Sequence, residues 1–564
     1  MKPLSLLAAL AACACAACAD KKADDGSPAG RADAIFVGGP IYTGLETQPT
    51  VEAVAVARGR IVKTGDRAEV EAAVEPGARI VDLEGAALYP GFTDSHAHLL
   101  GIGLRELTLN LEGVESLAAL VEIVRAEAAR TPAGETISGR GWIETHWPEE
   151  RFPTRHDLDT AAPDHPVILR RADGHASVAN SRALELAGVT AATPDPKGGE
   201  ILKDDDGAPT GMLIDAAQGL VAGLLPPPSP ARKAEAYERA GAVYAAYGWT
   251  GMHNMSVDPA DLGLMERLAE EGALPIRVYN SIDVEGFDAL AANGPRQDKT
   301  GRIVTRALKL YADGALGSRG AALSEPYSDA PDTTGLLQTD HDEIMPVLTK
   351  ALEKGVQVNT HAIGDRGNRL VLDWYEEAFN AVPENRRMVA KPRWRIEHAQ
   401  IVHVEDIPRF AANAVIPSMQ PSHAIGDLYF APDRLGADRL DGAYAWRSLL
   451  DAGAIIAAGS DAPVERGDPR IEFYAAVARR GLDGYQNQNW RPNEAVTREE
   501  ALKMFTTWPA YAAFQEDALG TIEVGKRADF TVFSKDIMTI PAEEILKVET
   551  VMTVVDGEIV YRNQ

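Results

Sequence analysis

Six side chains that could bind metal ions occur where short apolar, strand-like runs end in this 564-residue sequence. His96 and His98 follow the first of these runs. Because alternate residues of a strand point to the same face, these two imidazoles can bind one ion together. A single His-x-His pair is weak evidence, whereas a series of candidates at successive strand ends is strong evidence for a metal centre. The candidate ligands are His96, His98, Lys309, His361, His398 and Asp461.

Imidazole and carboxylate ligands without thiolates favour Zn²⁺, with Fe²⁺, Mn²⁺ or Co²⁺ as alternatives. An ion of this kind acidifies a bound water, which then becomes a hydroxide nucleophile. Asp461 is the candidate general base, which would take a proton from this water and later deliver one to the leaving group. The sequence therefore predicts a metal-dependent hydrolase with a small-molecule substrate.

Strand-like and helix-like segments alternate through the middle of the chain, which predicts parallel βα units. Helices are expected over residues 233–247, 261–271, 341–354 and 368–380. The eight candidate strands end near His98, His253, Ser281, Tyr311, His361, His398, Met419 and Asp461. Eight strands predict a (β/α)₈ TIM barrel of the α/β class, whose active site lies at the carboxyl ends of the strands. All six candidate ligands fall there.

Additional segments flank and interrupt this predicted barrel of residues 89–518. Residues 32–88 and 519–564 both contain short strands, and neither piece is apolar enough to fold alone. We therefore expect one small composite β-sandwich built from both chain ends. The segment between the first two strands, about residues 110–230, is too long for one βα connection. Its length predicts an insertion that folds over the barrel mouth. Within it we expect a helix at 116–130, strands at 136–141 and 166–171, and a hairpin across 204–207.

The amino terminus has the pattern of an export signal. Residues 1–18 have a positive start and a short alanine-rich apolar run, and residues 19–31 have the composition of a flexible tether. The run resembles a bacterial lipoprotein signal, with Cys13 or Cys18 as the lipidated residue and Cys18 slightly favoured by signal length. Plain secretory cleavage is the alternative. We expect a periplasmic protein anchored to the membrane by lipid.

The charge balance excludes one class of partner. The formal net charge is −27, whereas nucleic-acid binding usually needs a basic patch. Acidic side chains on a solvated surface account for this charge. The sequence leaves the oligomeric state undefined.

Several motifs closely resemble the metal-dependent amidohydrolase superfamily, and the nearest branch contains N-substituted formamide deformylases and D-aminoacylase-like enzymes. The motifs occupy residues 90–98, 139–142, 171–175, 180–184, 309–319, 360–365, 395–398, 459–463 and 525–529. This resemblance implies a barrel with a composite sandwich, and hydrolysis of a C–N bond in an amide, formamide or N-acylated amine. Ester, lactone or carbamate hydrolysis on the same site is the enzymatic alternative. A non-catalytic binding or regulatory protein that keeps the fold is the alternative from another class.

The resemblance also implies two ions, most simply two Zn²⁺. His96, His98 and Asp461 would hold one ion, and His361 and His398 the other. An ammonium is a poor neighbour for a cation, and relatives use a lysine that CO₂ has converted to an anionic carbamate as a bridge between two ions. Lys309 is the candidate for this bridge. An ordinary lysine paired with Asp313 is the alternative, and it would favour a single metal ion.

Four further residues are candidates for contacts with the substrate. His175, in the insertion, is the candidate to stabilise the oxyanion, with a turn or cap histidine as the alternative. His253 could line the pocket or be a satisfied buried histidine. Arg319 could pair with a substrate carboxylate or form a structural ion pair. Trp142 could provide an aromatic wall, although core packing is the more common role. The remaining histidines, His423 among them, are assigned to surface, packing or the pocket rim.

Overall fold

The computed structural model describes residues 32–563, apart from residues 145, 146, 150, 173, 175, 197, 198, 226, 488 and 489. The predicted signal over residues 1–18, the tether over 19–31, Cys13, Cys18 and His175 therefore lie outside the described residues. Across the described stretches, no helix combines the length and the apolar character needed to cross a membrane.

Eight parallel strands form the centre of the molecule, and each lies next to its sequence neighbour. They are β1 (Phe92–Ala97), β2 (Trp249–Val257), β3 (Arg277–Ile282), β4 (Ile303–Tyr311), β5 (Gln357–Ala362), β6 (Arg395–His398), β7 (Ile416–Met419) and β8 (Ala457–Ala458). This number and direction of strands agree with the predicted TIM barrel.

The barrel is nearly closed where the segment after β8 meets β1. The backbone N–H of Asp461 donates a hydrogen bond to the carbonyl of His96 at 2.6 Å. The carboxylate of Asp94, in β1, accepts hydrogen bonds from the N–H and the hydroxyl of Ser460 at 2.9 and 2.6 Å. A Cβ on Gly459 would lie 2.4 Å from the backbone nitrogen of His96, so this close approach requires glycine. The closure holds residues of β1 and the segment after β8 side by side.

Helices pack around the strands, and their ends follow the expected capping chemistry. The helix Pro230–Tyr247 begins after Ser229, whose side chain accepts the N–H of Arg232, and it ends at Gly248 with φ +109°. The four helices expected from sequence are present, with ends shifted by up to three residues. The helices of the barrel region are Leu99–Glu106, Pro230–Tyr247, Leu262–Glu270, Phe287–Asn293, His341–Lys354, Asp365–Ala381, Ile407–Ala412, Pro421–Asp427, Ala431–Leu435, Trp446–Asp451, Pro469–Ala478, Arg498–Phe505 and Thr507–Ala512.

The insertion after β1 has its own six-stranded sheet and its own apolar cores. In spatial order its strands are Gly199–Lys203, Pro209–Asp215, Ala176–Ala179, Val167–Arg171, Ile137–Trp142 and Leu109–Asn110. Its helices are Leu117–Ala128, Arg155–Asp159, Ser181–Leu186 and Gly219–Ala222. The side chain of Ser116 caps the first of these helices by accepting the N–H of Ala119.

Strands from both chain ends join in one eight-stranded sheet. Ala87–Pro90 pairs antiparallel with Phe530–Phe533, which connects the amino-terminal and carboxy-terminal parts. The sheet's other strands are Ala34–Tyr42, Thr50–Ala57, Arg60–Gly65, Arg79–Asp82, Thr550–Val555 and Glu558–Arg562, and the short helices Arg67–Ala73 and Ala542–Ile545 accompany them. That this sheet folds into a two-layer sandwich stays a prediction.

Candidate metal centre

The six predicted ligands meet at the carboxyl ends of the barrel strands. The ring centroids of His96 and His398 are 4.7 Å apart, and those of His361 and His398 are 4.5 Å apart. Nζ of Lys309 lies 3.3 Å from Nε2 of His96. Nε2 of His98 lies 3.2 Å from Oδ1 of Asp461. Strands β1, β4, β5 and β6 and the segment after β8 thus deliver their polar residues to one small volume.

One set of donor atoms consists of His96, His98 and Asp461, whose potential ligand atoms all lie within 4.8 Å of one another. Oδ1 of Asp461 is 3.6 Å from Nε2 of His96 and 3.2 Å from Nε2 of His98. The other ring nitrogens are occupied, since Nδ1 of His96 lies 2.5 Å from Glu397 and Nδ1 of His98 lies 3.2 Å from the carbonyl of Met255. This arrangement leaves both Nε2 atoms available for a divalent ion, so the residues fit a metal.

A second set of donor atoms consists of His398, His423 and Asp461, whose potential ligand atoms also all lie within 4.8 Å of one another. Nδ1 of His398 lies 2.8 Å from Oε1 of Gln420. Nε2 of His423 is 3.6 Å from Oδ2 of Asp461. From the sequence, His423 was assigned to surface, packing or the pocket rim because it lacks the strand-end context of the predicted ligands. The structure places it in the helix Pro421–Asp427, four residues beyond the end of β7. The rule that polar residues after barrel strands face the site would have included it.

Burial sets the protonation of these groups. Loss of solvent lowers the pKa values of His96 and His398 well below the usual range, and that of His361 to about 3. Burial acts to raise the pKa of Asp461, but the surrounding imidazoles, His96 first among them, hold it well below its usual value. Neutral imidazoles and an ionised carboxylate are the forms that bind a metal ion.

Lys309 lies among these ligands and apart from Asp313. The carboxylate of Asp313 accepts backbone N–H groups of Ile363 at 2.9 Å and of Gly364 and Ala322 at 2.8 Å. Burial lowers the pKa of Lys309 to about 8. In the described structure, the nearest polar contact of its Nζ is His96, so the Lys309–Asp313 pair left open by the sequence does not form.

A buried ion pair beneath the centre was not anticipated from the sequence. Nε of Arg395 lies 2.7 Å from Oε1 of Glu397, and both side chains are fully buried. Nη2 of Arg395 also donates to the carbonyl of Ser95 and the hydroxyl of Ser418, at 2.5 and 2.6 Å. The alternation Arg395, Glu397 on β6 was the available signal, because it directs both side chains to the same face. This network fixes the carboxylate that contacts His96.

Two of the predicted substrate contacts have structural partners. His253 is buried in β2, and its Nδ1 lies 2.7 Å from Nη1 of Arg395. Arg319 pairs with Asp329, through Nη2 at 2.8 Å and Nε at 3.2 Å. These positions agree with the alternatives of a satisfied buried histidine and a structural ion pair.

The predicted contacts from the insertion have different outcomes. Trp142 is fully buried, its Nε1 donates to the carbonyl of Leu169 at 3.0 Å, and its ring packs against Trp147. It therefore belongs to the core of the insertion, as in the alternative. His175 lies outside the described residues, and its role as an oxyanion donor stays a prediction.

A parallel eight-stranded barrel with histidines and an aspartate at its carboxyl end defines a class, the metal-dependent hydrolases. Residues 79–561 match the amidohydrolase family, and the chain therefore belongs to this family. The chain is 35% identical over 542 residues to a Bacillus subtilis protein named as amidohydrolase YtcJ, covering 94% of this chain and 99% of that one. It is 30% identical over 549 residues to N-substituted formamide deformylase from Arthrobacter pascens, covering 94% of this chain and 98% of that one.

Solved structures give the same classification. An uncharacterized metal-dependent hydrolase from Pyrococcus horikoshii superposes with a TM-score of 0.73 and 28% identity, covering 90% of this chain and 99% of that one. The protein is a hydrolase of the amidohydrolase family.

Proposed function

We propose that this hydrolase cleaves the C–N bond of an amide, N-formyl amine or N-acyl amine. The observation that carries the proposal is the convergence of His96, His98 and Asp461, whose donor atoms lie within 4.8 Å of one another. The family membership and the similarity to N-substituted formamide deformylase support the bond type.

A divalent ion held by His96, His98 and Asp461 would polarise the substrate carbonyl and acidify water. Asp461 is the candidate to move the proton, because its Oδ1 lies 3.2 Å from Nε2 of His98 and 3.6 Å from Nε2 of His96, beside the atoms that would hold the ion. In the proposed reaction, Asp461 accepts a proton from the attacking water and donates it to the departing amine nitrogen. His175 is the proposed donor to the oxyanion.

We further propose two Zn²⁺ as the natural ions, with Fe²⁺, Mn²⁺ or Co²⁺ as substitutes, and a carbamate on Lys309. Carbamate formation joins the neutral amine Nζ to the carbon of CO₂ and releases one proton. Burial and the proximity of Nζ to His96 support this modification, because an ammonium would oppose an ion bound there. The residues near this carbamate would include His96, whose Nε2 lies 3.3 Å from Nζ.

We also propose that the protein is exported and held at the periplasmic membrane by a lipid on Cys18 or Cys13. The charged start, the apolar run over residues 4–17 and the small residues before each cysteine support this location.

The function is tested with a panel of formamides, N-acyl amines and matched esters, assayed with Zn²⁺, Mn²⁺ and Co²⁺. We expect turnover of an amide or formamide, and a fall in kcat of about 10²–10⁴-fold in Asp461→Asn with most of the metal retained. Asp342→Asn, on an exposed helix position, is the matched control. Unchanged hydrolysis in Asp461→Asn would exclude the proton-transfer role, and hydrolysis of esters alone would exclude the proposed bond.

A further inference from the structure

His423 is a buried histidine that the proposed chemistry does not yet use. It lies in the helix Pro421–Asp427, directly after β7, and only 9% of its surface is exposed. Its ring is nearly parallel to that of His398, with an angle of 15° and a centroid distance of 5.9 Å. Two barrel strands that are neighbours, β6 and β7, therefore place their imidazoles on one side of Asp461.

The surrounding structure holds His423 in this place. Oε2 of Glu472, a fully buried residue of the helix Pro469–Ala478, accepts the N–H of Ser422 at 3.0 Å. This bond fixes the first turn of the helix that carries His423. Nε2 of His423 nevertheless has no hydrogen-bond partner among the described residues. A buried polar nitrogen without a partner is unusual, and one common explanation is an ion that binds there.

Two carboxylates, which are common ligands of divalent ions, lie near Nε2 of His423. Nε2 of His423 is 3.6 Å from Oδ2 of Asp461 and 3.8 Å from Oε1 of Glu465. Because Nδ1 of His398 contacts Gln420, Nε2 is the ring nitrogen of His398 that can bind a metal ion. His398, His423 and Asp461 can thus each offer one ligand atom to the same point.

The two oxygens of Asp461 face different sets of imidazoles. Oδ1 is the atom nearest His96 and His98, whereas Oδ2 is the atom nearest His423. Oδ2 of Asp461 thus lies beside an imidazole that is not part of the first donor set. A histidine that only filled space would have no reason to direct Nε2 at this second oxygen.

We propose that His423 is a ligand of the ion bound by His398. The proposal rests on the proposed metal-dependent function, and it adds His423 to the ligands that the sequence predicted for the second site. Zn²⁺ fits the set of two imidazoles and one carboxylate.

The test compares metal binding in the full chain and in His423→Ala. Zinc per chain is measured by plasma mass spectrometry after chelator-free purification, and zinc affinity by competition with a chromophoric chelator. We expect two ions in the unmodified protein and one in His423→Ala, with the remaining ion bound at its original affinity. The control is His403→Ala, which removes a histidine whose side chain is 39% exposed after β6 and which should keep both ions.

Equal zinc content and affinity in His423→Ala and the unmodified protein would overturn the proposal. Absence of any bound ion in the unmodified protein would instead contradict the proposed function itself. Should His423→Ala fail to fold, His423→Asp keeps a donor but replaces nitrogen with oxygen. We then expect a shifted Co²⁺ absorption spectrum, and a spectrum identical to that of the unmodified protein would also refute coordination by His423.

Discussion

The contact between Glu397 and His96 permits a quantitative prediction about metal affinity. Oε2 of Glu397 lies 2.5 Å from Nδ1 of His96, and its Oε1 lies 2.7 Å from Nε of Arg395. Replacing the carboxylate in Glu397→Gln keeps the size of the side chain and one oxygen for Nδ1. It removes the negative charge that makes the imidazole a stronger ligand and that neutralises Arg395.

The expected loss follows from these two contacts. Removal of a carboxylate behind a metal-binding histidine typically weakens metal affinity by about 10–100-fold. This factor corresponds to about 1.4–2.7 kcal/mol of binding free energy. The metal-free protein should also become less stable, because Arg395 is left as a buried charge without its counterion, at a cost of about 3–5 kcal/mol. The ion nearest His398 should be affected much less, since His96 is the predicted ligand that Glu397 contacts among the residues the structure describes.

The assay is zinc competition with a chromophoric chelator, combined with urea unfolding of the metal-free protein. Glu405→Gln is the matched control, because the side chain of Glu405 is 78% exposed and lies away from the predicted ligands. Zinc affinity in Glu397→Gln within twofold of the original, measured for both ions, would refute the reasoning that this carboxylate strengthens His96 as a ligand.

Two further predictions concern the modified lysine and the amino terminus. Lys309→Ala should lower the metal content. Short carboxylates with added metal should restore part of the activity, because they replace the carbamate oxygens. An unchanged metal content in Lys309→Ala would contradict the bridging role of the carbamate. In cells grown with a fatty-acid analogue, the protein should become labelled, and either Cys18→Ala or Cys13→Ala should abolish this labelling. The lipid anchor would be contradicted if the protein is never labelled. It would also be contradicted if labelling survives in both single variants and in the double variant.

Sequence reasoning was most successful where a local pattern and a fold rule agree. Six of the eight strand ends were predictable to within one residue, because short apolar runs precede them and parallel strands end at one edge. The second strand instead continues to Val257, four residues past His253, and the eighth ends at Ala458, three residues before Asp461. The helix predicted from residue 116 begins after Ser116, whose side chain accepts a backbone N–H group, whereas the helix predicted from residue 233 begins three residues earlier, after Ser229.

The remaining features depend on contacts between distant segments, which periodicity does not encode. The role of Glu397 requires knowing that β6 lies opposite β1, 301 residues away. Arg319 was open to two interpretations until the loop containing Asp329 was placed beside it. The position of His423 beside His398 and Asp461 could not be inferred from its sequence context, because it depends on how the helix after β7 packs at the barrel end.

The closure between β1 and β8 has a consequence for the order of events during synthesis. The hydrogen bonds from Ser460 to Asp94 span 366 residues. Until residue 461 has left the ribosome, the nascent chain has the histidines of both donor sets but lacks Asp461, the carboxylate that the two sets share. We therefore expect both donor sets to be complete only after the last barrel strand has been synthesised.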